Sequence, residues 1–141
     1  MRFYSETLSF DSKEPIEVMN ITESVSNAVA KSGIKKGLAF VMTPHTTASI
    51  CINEPCPRLK EDVVKFLSGI VDKDIKHRHD IETIDGRPNA KSHLIAHLLP
   101  KSETIPVENG KIQFGTWQAL FFIELDGSRD GRKVEVRVMG D

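Results

Sequence analysis

Apolar and polar positions alternate near both ends of the chain and lose their period between residues 72 and 89. RFYSETLSF, beginning at Arg2, alternates as an extended strand does, with successive side chains on opposite faces. From Asn20 the period lengthens. Asn20 caps a helix through Ala30, Glu23 completes a capping box, and Gly33 ends the element. GLAFVMT and TASICIN follow as β-rich runs separated by a bend at Pro44-His45, and Ala48, Ile50 and Ile52 share one face of the second. Pro57 opens a second helix, in which Leu59, Val63, Phe66, Leu67 and Ile70 form an apolar stripe at helical spacing. A third helix is expected from Asn89 to Leu99, stopping at Pro100. The C-terminal part then reads as strands. SETIPVE and KIQF flank the hairpin dipeptide Asn109-Gly110, WQALFFIEL follows, and RKVEVRV points Val134, Val136 and Val138 inward.

Helices and strands in this order are segregated rather than alternating, which predicts an α+β fold with a mainly antiparallel sheet and about three helices. The 141 residues carry no linker, repeat or low-complexity segment and form a single domain, residues 1–141. The aperiodic stretch DKDIKHRHDIETIDGRPN is a long polar loop, and such a loop in so small a domain is functional or mobile.

Charge narrows the field of partners. A net charge of -1 gives no whole-chain pull toward nucleic acid or a membrane surface. No apolar run approaches the ~20 residues of a membrane span, and MRFYSETLSF lacks the apolar core of a secretory signal. Cys51 and Cys56 stand in C-x4-C spacing, which fits neither a zinc knuckle nor a redox pair. A cytoplasmic protein with two reduced thiols is expected, with no nucleic-acid and no membrane partner.

Candidate chemistry gathers in a few places. HTTASICINEP brackets its apolar face with His45 and Glu54, residue types that bind metals or move protons. Four of the five histidines lie between positions 77 and 97. His93 and His97 share a helix face, but the glutamate of H-E-x-x-H is missing. The His79-Asp80 step falls in the polar loop. Asp62 borders the stripe of the second helix, where it complements the helix dipole or leans toward Glu54. Two carboxylates near an imidazole cluster suit a divalent ion or shared acid–base work. Trp117 reads as core, Gln118 as a buried amide in need of partners, and Asp126-Gly127-Ser128-Arg129 as a turn that also suits a phosphate or carboxylate.

HTTASICINEP, Asp62, R-H-D, the His93 helix, G-T-W-Q and D-G-S-R occur in that order, and together they resemble the YjbQ family over almost the whole chain. The family's motif falls on His45, Thr46, Ala48, Asn53, Glu54, Asp62, His79, His93, Gly115, Trp117, Gln118 and Arg129. His97 is not among these positions. Pro100 stands where the family usually has glycine, and D-G-S-R replaces its D-G-P-R. The resemblance implies a sandwich-like homotrimer with sites near subunit interfaces, a metal-binding imidazole pocket, and a secondary thiamine-phosphate synthase activity. On that reading His45, His79 and His93 hold a divalent ion, zinc or magnesium. Glu54, Asp62 and His45 carry the chemistry, and Arg129, Gln118, Thr46 and Asn53 bind a small phosphorylated metabolite. A metal-dependent phosphoester hydrolase uses the same residue types, and so does a trimeric binding protein without turnover.

Overall fold

A computed structural model describes residues 1–141 as eight strands and four helices. In chain order these are β1 (Arg2–Phe10), β2 (Glu17–Asn20), α1 (Thr22–Ser32), β3 (Lys36–Met42), β4 (Ala48–Asn53), α2 (Pro57–Gly69), α3 (Arg78–Ile81), α4 (Ala90–Ala96), β5 (Ser102–Glu108), β6 (Lys111–Ile112), β7 (Ala119–Glu124) and β8 (Arg132–Gly140). Every strand pair is antiparallel. One sheet has the order β1-β8-β3-β5-β6 and the other β2-β7-β4, so the α+β, mainly antiparallel expectation holds.

The apolar run of β7 explains the layering. All six of its residues are buried. By the two-residue period of a strand, Leu120 and Phe122 join one core, while Ala119, Phe121 and Ile123 join another. The first core unites both sheets with Val25, Ala28 and Val29 of α1. The second sets α2 and α4 against the outer face of the smaller sheet, through Leu67, Ile95 and Ala96. A strand covered on both faces reads as a continuous apolar run because neither face meets water.

Glu124 interrupts that run. It is wholly buried and meets Arg132, which is 3% exposed, in a two-pronged ion pair: Nε to Oε2 at 2.8 Å and Nη2 to Oε1 at 2.7 Å. Ser12 Oγ donates to the same carboxylate at 2.9 Å. The Leu125 and Asp126 N–H groups donate to Oε1 at 3.0 and 2.9 Å, completing the donors that a buried carboxylate needs.

Local signals hold in several places. Asn109 and Gly110 both take positive φ, 54° and 75°, as the expected hairpin turn demands. Pro57 sits at the first turn of α2, and Gly33 closes α1 in the left-handed conformation. Val134, Val136 and Val138 are buried.

Other expectations are corrected. Helix α1 starts after Ile21 rather than Asn20, whose Oδ1 accepts the Thr22 N–H, so the capping box with Glu23 does not form. Helix α4 is shorter than expected, and α3 lies inside the polar loop. Of the α2 stripe only Leu67 is buried, and Phe66 is 65% exposed. Trp117 is 71% exposed, because β7 begins only at Ala119 and leaves Trp117 in the preceding turn. Gln118 is exposed too, its Oε1 accepting the Gly115 N–H at 2.8 Å within that turn. Its amide needs no deep partner.

Candidate functional site: an imidazole cleft on the helical layer

Helix α4 is held to the smaller sheet at both ends. Ser92 Oγ donates to the Leu125 carbonyl at 2.6 Å. Past the helix, the Lys101 ammonium donates to the carbonyls of Ala96 and Ala48, each at 2.9 Å, and burial pushes its pKa down. Helix α3 is fastened to α4 by two adjacent residues. Asp80 Oδ1 accepts the Ala90 N–H at 2.8 Å, and His79 Nε2 lies 3.0 Å from Asn89 Oδ1. The His79-Asp80 step is therefore a clasp on the start of α4, not a solvated stretch of loop.

Behind His79 the bonding continues. Asn89 Nδ2 donates to Asp126 Oδ2 at 2.8 Å, and Arg129 Nη2 reaches the same oxygen at 2.6 Å. Arg87 adds a longer ion pair from Nε at 3.5 Å and a hydrogen bond to the Asp126 carbonyl at 3.2 Å. This chain fixes a proton. A carboxylate only accepts, so Asn89 must turn its NH2 to Asp126 and its oxygen to His79. His79 Nε2 must then carry the hydrogen, which leaves the Nδ1 lone pair of the neutral ring free. Second groups of this kind orient metal-ligating and proton-moving histidines.

His93 stands next to that ring, edge to face, with centroids 4.8 Å apart at 81°. Burial lowers its pKa, and the neighbouring His79 lowers it further. Side chains of His77, Arg78, His79, His93 and Leu94, with Ala90, line a cleft of about 390 Å3 here.

His45 lies elsewhere. It stands at the β3–β4 junction, where Nε2 accepts the Lys133 N–H at 2.9 Å. Its pKa is lowered by burial first and then by Arg132. The expected convergence of His45, His79 and His93 reduces to two of the three, since no group of three His, Cys, Asp or Glu side chains in the chain is placed to hold a metal. Glu54 is exposed beside a small recess lined by Cys51, Leu59 and Phe121, and Asn53 Oδ1 accepts its backbone N–H. Asp62 is exposed on α2 beside Lys65 and Phe66. Neither carboxylate lines the imidazole cleft. Thr46 is exposed in the β3–β4 connection. Arg129 keeps Asp126 with Nε and Nη2, so two of its three guanidinium nitrogens are already engaged.

Sequence reasoning passed over Asn89 and Asp126, which orient His79, and Arg87, which supports them. Asn89 had registered only as a helix start and Asp126 only as a turn residue. A buried partner 37 positions away leaves no local trace.

Sheet order and cleft together define a small antiparallel α+β sandwich protein with two neighbouring imidazoles in a cleft of its helical layer. The chain belongs to the UPF0047 family, and residues 6–141 match that family's description, "UPF0047 protein YjbQ-like". A UPF0047 protein of Methanothermobacter thermautotrophicus is 41% identical over 140 residues, 99% of this chain and 94% of the relative. The Bacillus subtilis UPF0047 protein YugU is 32% identical over 96% of this chain and 98% of its own length. Among solved structures, a YbjQ-like protein of unknown function from Sulfolobus solfataricus has a TM-score of 0.91 at 34% identity, with 99% of each chain covered. An uncharacterised YjbQ/UPF0047 protein from Clostridium acetobutylicum has a TM-score of 0.84 at 36% identity, covering 95% of this chain and 99% of that one.

Proposed function

We propose that this protein acts on a small phosphorylated metabolite at the His79–His93 cleft, with a divalent ion as cofactor. Thiamine-phosphate synthesis, the joining of a pyrimidine diphosphate to a thiazole phosphate, is a secondary activity on this reading. The observation that carries it is the His79 ring, oriented by Asn89 and Asp126 beside a second imidazole. His79 and His93 would hold the ion, and imidazole donors suit zinc better than magnesium. A bound ion would supply polarisation of a phosphoryl oxygen. One chain offers two ligands, so the remaining positions fall to water, substrate or a second subunit.

The subunit itself argues for company. Phe66, Ile75, Ile81, Ile84, Leu98 and Trp117 are large apolar side chains left exposed. A homotrimer covers such surface, and it is also the arrangement in which Glu54, Asp62 and His45 of one subunit serve the cleft of another. Thr46, Asn53, Gln118 and the free Nη1 of Arg129 then contact the non-phosphate part of the substrate. The unpaired Cys51 and Cys56 fit a reducing, cytoplasmic setting, and no helix is long and apolar enough to cross a membrane.

The test is a product assay on protein stripped by chelator and then reloaded with zinc or magnesium. It offers the pyrimidine diphosphate with the thiazole phosphate, and separately a panel of phosphoesters. Product that appears only after reloading supports a transferase or a hydrolase. Binding without product, with metal present, favours the second reading, a binding protein without turnover. That reading draws on Glu54 and Asp62 both standing outside the cleft of their own chain.

A further inference from the structure

We infer that His77 and Arg78 grip the phosphoryl group of the ligand. This deepens the proposed function and rests on its claim that the ligand is phosphorylated. The polar side chains lining the cleft are His77, Arg78, His79 and His93, all nitrogen-bearing, and no carboxylate is among them. The two carboxylates that brace its walls are engaged: Asp80 accepts from Ala90, and Asp126 from Asn89 and Arg129. Asp126 and Asp85 act on His93 from outside the lining, which itself carries only imidazoles and a guanidinium and so favours an anion.

Two members of that lining lack partners. His77 Nε2 has no hydrogen-bond partner, a state rare enough in native proteins to call for one, and because it is turned away from the surface, the grip requires the ring to rotate toward the cleft that His77 lines. Arg78 is exposed, and unlike Arg87 and Arg129 it has no carboxylate at ion-pair distance. A guanidinium forks onto phosphate oxygens with two parallel bonds, and a protonated imidazole nitrogen donates a further one. An arginine and an unpartnered imidazole nitrogen side by side in the sequence meet a phosphate's need for several donors at once. The same guanidinium disfavours a second cation, which leaves any metal to His79 and His93. At about 390 Å3 the cleft has room for more than the phosphoryl group itself.

The experiment titrates inorganic phosphate into the full-length protein with chelator present, so that no metal mediates. Calorimetry reads the affinity and imidazole 15N resonances read the site. A separate titration measures zinc binding. The wild type is expected to take phosphate with a shift at His77 Nε2. Arg78→Gln is expected to weaken binding about tenfold or more, the loss of one charged bidentate contact. Arg137→Gln, at an exposed arginine of β8, is expected to bind as the wild type does. Wild-type affinity in Arg78→Gln overturns the inference, and so does equal weakening in Arg137→Gln, which would mark bulk charge alone. Zinc binding without phosphate binding overturns it while the metal reading stands. Arg78-dependent phosphate binding without zinc binding upholds it and removes the metal.

Discussion

Asp126 is the residue on which the site's geometry turns, because three side chains reach its carboxylate and one of them aims His79. Asp126→Asn keeps the shape and removes the charge that binds Arg129 and Arg87. The expected cost is about 1–3 kcal/mol in denaturant unfolding, the range for a half-lost set of charged hydrogen bonds. If His79 ligates zinc as proposed, zinc affinity is expected to fall about 10-fold or more with the loss of the group that orients it. A loss of stability with unchanged zinc affinity would show that Asp126 braces the turn without serving His79. The histidines also set a pH response. His45 and His93 both have folded pKa values below the ordinary 6.5, chiefly through burial. A base with a depressed pKa in the folded state is protonated more readily when unfolded, so its contribution is full above about pH 6.5 and declines as pH falls below it. Stability measured from pH 7.5 to 5 is therefore expected to drop, with a shallower slope in His45→Gln. An identical slope in that variant would clear His45 of the effect.

Helices α3 and α4 carry the cleft, yet α3 has four residues and α4 seven, so neither is stable by its own hydrogen bonds. Asp80 is the fastener between them. Asp80→Ala removes the acceptor for the Ala90 N–H and should cost about 1 kcal/mol, as for other lost helix caps. Faster hydrogen exchange at Ala90 and a weaker His79–Asn89 contact are the expected signatures, and unchanged exchange at Ala90 would remove Asp80 from this role. The elements show why reading stopped where it did. Strands β1, β3, β4, β5 and β8 were legible, because each has a one-sided period or a marked turn. Strand β2 was not, since four residues after a proline-bearing stretch give too little pattern. Helix α3 was hidden for another reason. Its sequence RHDI buries nothing, and what holds it is the pair of bonds from His79 and Asp80 to Asn89 and Ala90. The expected roles of His79 and His93 as neighbours came from family motif order. Their actual contact depends on this clasp.

Across the molecule, the exposed apolar side chains and the carboxylates outside the cleft bear on one question, whether the working unit is larger than one chain. Sedimentation at micromolar concentration is expected to give three subunit masses. A single subunit mass would leave Glu54, Asp62 and His45 without access to the cleft. Trp117 shows how sequence reading misjudged this scale. An indole in an apolar-looking run reads as core, but here it stands 71% exposed.

Strand β7 divides the interior into a cluster of 16 buried residues and a smaller one of 8. The smaller cluster alone roots α2 and α4, so the wall that bears the site rests on the weaker foundation. Parts of a protein open independently when their packing is separate, and the less buried part opens at lower free energy. Amide exchange is therefore expected in two tiers, with α4 and α2 opening in a sub-global step while β3 and β8 exchange only on complete unfolding. Phosphate or zinc should close the gap between the tiers by protecting α4 selectively. Uniform protection across both tiers without ligand would mean that the two cores act as one.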